Sequence, residues 1–350
     1  MSGTSVAVAS GIRRRWLHCL ALLASLIVAM VCIPRYLQER ALQSLPHGFK
    51  KFSLYDPPPA CARWNDHMPL SRDPVAYRLY IEARKVWRSK IAWQLNREET
   101  MRILTDVRSA ADMGDWGARS LMANFYLRGL GVLESNHVLD ADPAKGVKIV
   151  RVAAEAMQPW GLYDLGVAHE HGYGGAVHDV DLAWAYYLRA AQLGSPEAQM
   201  ALAQAYGEAD RRDHELTMLQ CAFQQGHGAA AYQLGVQAEV DGRYWDAISI
   251  HQKGVELGSQ DCAASLELLF ADGHGPNVDK EEMEALQLLG IKADLERKNR
   301  YNAIYDALQI NPDLKLNRLN QVLPLPPAKL PPWSGVNDAL TPESNDRPIY

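Results

Sequence analysis

Residues 161–194 read GLYDLGVAHEHGYGGAVHDVDLAWAYYLRAAQLG, and this stretch decides the fold. Its close, Ala190-Ala191-Gln192-Leu193-Gly194, has four counterparts: Ala110 to Gly114, Ala153 to Met157, Ala222 to Gly226 and Gly254 to Gly258. The closing positions 114, 157, 194, 226 and 258 stand 43, 37, 32 and 32 residues apart, a period in the range of stacked helix pairs. A second column follows each close at Met122, Leu165, Leu202, Leu234 and Leu266. Four residues before it stand Ala118, Gly161, Ala198, Ala230 and Cys262, and four residues after it Tyr126, His169, Tyr206, Ala238 and Phe270. These offsets put small, large and ring-bearing positions on one helical stripe, where the small residue admits a neighbouring backbone.

The columns resemble the Sel1-like repeat, a relative of the tetratricopeptide repeat. The second repeat matches best, through Leu165, Gly166, Gly172, Gly174, Asp179 or Asp181, Ala183, Tyr186, Tyr187, Ala190, Ala191 and Gly194. Repeats three and four lack the Gly-rich turn, and Asp272-Gly273-His274-Gly275 restores it in the fifth. The resemblance covers roughly residues 97–290. It implies an all-α chain folded as a right-handed α-solenoid of antiparallel helix pairs.

The flanks extend this array. Asp73-Pro74 opens an amphipathic helix carrying Tyr77, Tyr80, Ile81, Val86 and Trp87, and Ile291 to Ile310 reads as a charged terminal cap, so the solenoid is expected over 74–310. Residues 34–73 read as a linker and 311–350 as a Pro-rich tail. That tail is either free or laid back on the solenoid through Leu323, Leu325, Leu330 and Trp333.

The N-terminus carries a different signal. Arg13-Arg14-Arg15 ends a basic segment, 1–15, and residues 16–33, WLHCLALLASLIVAMVCI, hold no charge. As a helix this run would reach roughly 27 Å at about 1.5 Å per residue, enough for a thin bilayer. An uncleaved signal anchor is the expected reading; a cleaved signal peptide and a lipid-modified Cys32 are the alternatives. The arginines would hold 1–15 in the cytoplasm and export the rest, giving a single-pass inner-membrane protein with a periplasmic body. Outside the apolar run only Cys61, Cys221 and Cys262 remain, which permits one disulfide without requiring it.

Chemistry is scarce. The 350 residues are 48% hydrophobic with net charge −5, a globular balance with no basic field for nucleic acid. His169-Glu170-His171 has the wrong spacing for a metal pair on one helix face, and His169 occupies a repeat column. Gly172-Tyr173-Gly174-Gly175 follows no strand and carries no GK[ST] lysine, so it reads as a repeat turn. No cofactor, metal site or catalytic constellation is expected, and the chain is not read as an enzyme.

The surface facing the groove of such a solenoid remains as the candidate site. Projection from the repeat columns places there Asn124, Arg128, Trp160, Tyr163, Glu170, His171, Glu197, Met200, Gln204, Glu208, Tyr232, Glu239, Asp261 and Asp272. Six of these are acidic and three are Tyr or Trp, which suits a basic protein segment anchored by rings. The flanks, Ala60-Cys61-Ala62-Arg63 with Met68 to Ala76 and Leu325 to Trp333, resemble bacterial Sel1-repeat immunity proteins associated with type VI secretion phospholipase effectors. The resemblance implies a membrane-tethered periplasmic inhibitor of a phospholipase toxin; a cell-envelope scaffold for a secretion or polysaccharide assembly is the alternative.

Overall fold

Each recurrent close is a helix end of one kind. In the computed structural model, which describes residues 45–69, 71–271 and 280–341, with the side chains of 280–283 left aside, the residue closing each repeat takes a positive φ. The values are 95° at Gly114, 57° at Met157, 88° at Gly194, 91° at Gly226 and 89° at Gly258. The next N–H then turns back to a carbonyl five residues earlier, as in Asp115 to Ala110, Gln158 to Ala153 and Ser195 to Ala190. This satisfies carbonyls that a helix end leaves open. Met157 does so as a non-glycine residue, at a cost of about 1 kcal/mol.

The next helix starts at once, capped by the side chain of Asp115, Ser195 or Ser259, each accepting from a backbone N–H three residues on. The helices are α1 (Pro74–Trp87), α2 (Arg97–Asp112), α3 (Trp116–Arg128), α4 (Pro143–Glu155), α5 (Pro159–His171), α6 (Val180–Gln192) and α7 (Pro196–Glu208). They continue with α8 (Arg212–Gln224), α9 (Gly228–Val240), α10 (Tyr244–Glu256), α11 (Gln260–Leu269), α12 (Lys280–Leu288), α13 (Leu295–Ile310) and α14 (Leu319–Val322). Successive helices pack as pairs, α3 on α4, α5 on α6, α7 on α8 and α9 on α10, with each pair stacked on the next. The repeated helix pairs are those that the Sel1-like resemblance implied. In the last pair α13 takes the second helix's place against α11.

The chain divides into Met1–Phe49 and Lys50–Tyr350. In the first, the Phe49 N–H closes a turn on the Pro46 carbonyl. In the second, residues on either side of the repeats are packed. Phe52 stacks on Trp184 with centroids 5.0 Å apart, and Cys61 is disulfide-bonded to Cys221 on α8. The tail lies back on the solenoid. Leu316, Leu319, Val322 and Leu323 are buried with Tyr301, Ile304 and Leu308 of α13, and Leu325, Leu330 and Trp333 pack against that core. Arg300 holds it there by donating to the Val322 and Pro331 carbonyls, both at 2.8 Å.

The membrane expectation is corrected by the structure. Among the described residues no helix is long and apolar enough to cross a membrane. The longest, α2 and α13, have 16 residues each, about 24 Å of helix against about 30 Å of hydrocarbon. The run at 16–33 lies outside the described residues. A single-pass inner-membrane placement with a periplasmic body therefore has no support in the structure.

Candidate protein-binding surface

The first helices of the second and third repeats, α5 and α7, hold the groove residues that the structure brings together. Tyr163, two residues before the Leu165 column, is half-buried with its ring centroid 5.4 Å from that of Tyr187 on α6. The Tyr187 hydroxyl donates to Glu170 Oε2 at 2.6 Å, so a repeat-column tyrosine fixes the carboxylate at the far end of α5. Gly166 makes this possible: a Cβ there would stand 2.7 Å from the Tyr187 ring. Burial pushes the Tyr163 hydroxyl up to about 12, and the nearby Glu197, Asp164 and Glu170 carboxylates push the same way. Tyr187 is raised by burial and by Glu170, and Tyr173 by burial and by Asp164.

Asp164 is at the centre of this group. It is half-buried, and among the described residues its carboxylate has no hydrogen bond or ion pair. Burial, and then the charge of Glu197, push it up to about 7. Three carboxylates and two half-buried tyrosines, Tyr163 and Tyr173, thus lie together over the buried Tyr187, with His171 exposed 3.9 Å from Glu170. Such a face draws a guanidinium or ammonium group and offers rings against its faces. The groove projection passed over Asp164 because it lies one position before the Leu165 column. A signal was present, since the positions three and four away are Trp160, Gly161, Val167 and Ala168, which supply no cation for an ion pair along the helix.

The other projected residues are spread wider. Trp160 is buried, 9% exposed, and supports the face from beneath. Glu197 is exposed beside Ser195, whose hydroxyl donates to it at 3.0 Å. Met200 is half-buried on α7, and Gln204 donates to Glu208 at 2.9 Å on its exposed side. Tyr232 is half-buried on α9 with its ring 5.9 Å from that of His251, while Glu239 lies 3.1 Å from His251 Nε2. Asn124 is half-buried on α3, Arg128 is exposed at its end, and Asp261 is exposed in the first turn of α11. Asp272 lies outside the described residues. His169 is buried, stacked on Tyr186 and bonded through Nδ1 to the Val177 carbonyl at 2.9 Å.

The helical fold has solved counterparts. Immunity protein Pa5087 from Pseudomonas aeruginosa is 26% identical and superposes with a TM-score of 0.61, covering 77% of this chain and 95% of its own. Pseudomonas aeruginosa PA5086 is 26% identical with a TM-score of 0.62, covering 78% of this chain and 96% of its own. The chain's structural neighbours are Pseudomonas immunity proteins. Immunity protein PA5088 from the same organism shares the fold at 24% identity and a TM-score of 0.58, over 76% of this chain and 94% of its own. A domain of unknown function, DUF6396, matches residues 268–347, from the end of α11 through the tail. Among curated proteins none matches. The likeness to the immunity proteins covers about three quarters of this chain.

Proposed function

We propose that this chain is an immunity protein that binds a toxin and neutralises it, and that the toxin is a phospholipase effector of the type VI secretion system. The observation that carries the first part is the 0.61 superposition over 95% of immunity protein Pa5087 at 26% identity. The phospholipase class is supported by the resemblance of residues 60–76 and 325–333 to Sel1-repeat immunity proteins associated with such effectors. The face built from Tyr163, Asp164, Glu170 and Glu197 supports a basic, ring-contacting segment of the toxin as the contact, because opposite charge speeds encounter and desolvated rings slow release.

The test is a titration of the purified chain into a type VI secretion phospholipase effector, read on a fluorogenic phospholipid. Stoichiometric loss of lipase activity is expected. Reversing Glu170, Glu197 and Glu239 to lysine should weaken inhibition at least tenfold and flatten its salt dependence. An uninhibited lipase would remove the phospholipase assignment. Unaltered inhibition by the triple variant would move the contact to another surface.

A further inference from the structure

Residues 61–63 run without helical turn and Trp64–His67 form a short 3-10 helix, and this segment lies over the turns that join one repeat to the next. Three glutamines read the backbone of this strap. Gln199, fully buried on α7, donates to the Ala62 carbonyl at 3.2 Å, while its own oxygen accepts from Gln225 at 2.7 Å. The Gln225 oxygen then accepts the Trp64 N–H at 3.2 Å, so the two carboxamides close a ring on residues 62–64. Gln158 repeats the contact one turn earlier, donating to the His67 carbonyl at 3.4 Å. Gly194 completes the ledge, because a Cβ there would lie 2.4 Å from Arg63 C and 2.5 Å from Trp64 N. These contacts address main-chain atoms at Ala62, Trp64 and His67 and would hold a peptide of this backbone shape whatever its side chains.

One covalent bond ties the strap to α8. Cys61 is exposed and Cys221 is buried, so a thiolate from solvent reaches the disulfide from the Cys61 side. Exposed disulfides of this kind are the labile ones. The remaining described thiol, Cys262, is buried and held up to about 12 by that burial, which leaves it a poor competitor in exchange.

We propose that the Gln158, Gln199, Gln225 and Gly194 ledge is a peptide-holding site that the chain fills with its own residues 61–67, and that Cys61–Cys221 is a thiol-operated latch on that segment. A dithiol opens it in two steps. Its thiolate attacks Cys61 Sγ, forming a mixed disulfide and expelling the Cys221 thiolate, which takes up a proton. The second thiol of the reagent then attacks the mixed disulfide, leaving Cys61 reduced and the reagent as its cyclic disulfide, with two electrons transferred in all.

The readout is on the strap itself, so it is independent of the toxin. Tryptic cleavage of the Arg63–Trp64 bond in the full chain is followed by mass spectrometry before and after dithiothreitol, in the parent, in Cys61→Ser and in Gln199→Ala. Reduction and Cys61→Ser should each speed this cleavage about tenfold, with the helical circular dichroism kept. Gln199→Ala should leave the oxidised chain slow and make the reduced chain faster than the reduced parent. Equal cleavage rates before and after reduction would overturn the latch. Loss of the helical signal on reduction would overturn it too, by showing the bond to be a staple for the whole fold.

Discussion

Asp313 and Arg84 form a two-point ion pair across 229 residues, with Arg84 Nε at 2.6 Å and Nη2 at 2.9 Å from the two carboxylate oxygens. Arg84 belongs to α1, which opens the helical array, and Asp313 follows α13, which closes it. The pair therefore ties the beginning of the solenoid to its end. Burial would raise the Asp313 carboxyl, but the Arg84 hydrogen bonds and charge, with Arg88 and Lys315, hold it below the ordinary carboxylate value.

Asp313→Ala should cost about 1–3 kcal/mol in urea unfolding, below the roughly 3–5 kcal/mol of a fully buried broken pair, because the Asp313 side chain is one-third exposed. Because its folded pKa is depressed, the stabilisation is complete above the unfolded value of about 3.9. It is lost as pH falls through the lower folded value. Parent and variant should thus converge in stability in strong acid. Equal stability of the two at pH 7 would show that the ends are not energetically joined.

Asp164 carries the opposite sign. Its folded pKa of about 7 lies above the ordinary 3.8, so the folded chain holds the proton more tightly and stability falls as pH rises between those values. Asp164→Asn should gain on the order of 2 kcal/mol at pH 8, discounted for partial exposure, and nothing near pH 3. Thermal melts at the two pH values check this.

The two glycines Gly194 and Gly242 separate backbone conformation from contact. Both have positive φ, 88° and 70°, but a Cβ at Gly242 meets nothing within 4 Å, whereas at Gly194 it would enter the strap backbone. Gly242→Ala should cost about 1 kcal/mol, the conformational term alone. Gly194→Ala should cost at least twice as much and speed cleavage after Arg63, measured by urea unfolding and proteolysis.

Arg300 grips two carbonyls nine residues apart and lies over the Trp333 ring at 5.3 Å. Lysine keeps the charge but loses the planar fork that reaches both acceptors. Arg300→Lys should release the tail to proteolysis after Lys329 while leaving the repeat helices folded. The fragment masses would show it.

How far the fold was legible follows from which residues carry it. The closes at 114, 157, 194, 226 and 258 were visible as sequence, and each proves to be a positive-φ helix end with a bond back over five residues. Tyr163, Glu170 and Glu197 stood out in the sequence because helical periodicity projects them away from the buried stripe. Asp164 did not, since its character comes from burial and from Glu197 on another helix. Residues 61–67 gave no periodic signal, because contacts to main-chain atoms leave no side-chain pattern to read.

Local sequence determined where helices begin and end and which stripe of each is buried. Those outcomes rest on caps, positive-φ turns and spacings of three and four, all set by residues close together in the chain. Tertiary structure alone decided that Cys61 pairs with Cys221, that Gln199 and Gln225 hold the Ala62–Trp64 backbone, and that Asp313 meets Arg84. Each joins residues separated by more than a hundred positions, and the joining distance depends on how the helix pairs accumulate their small rotations along the array.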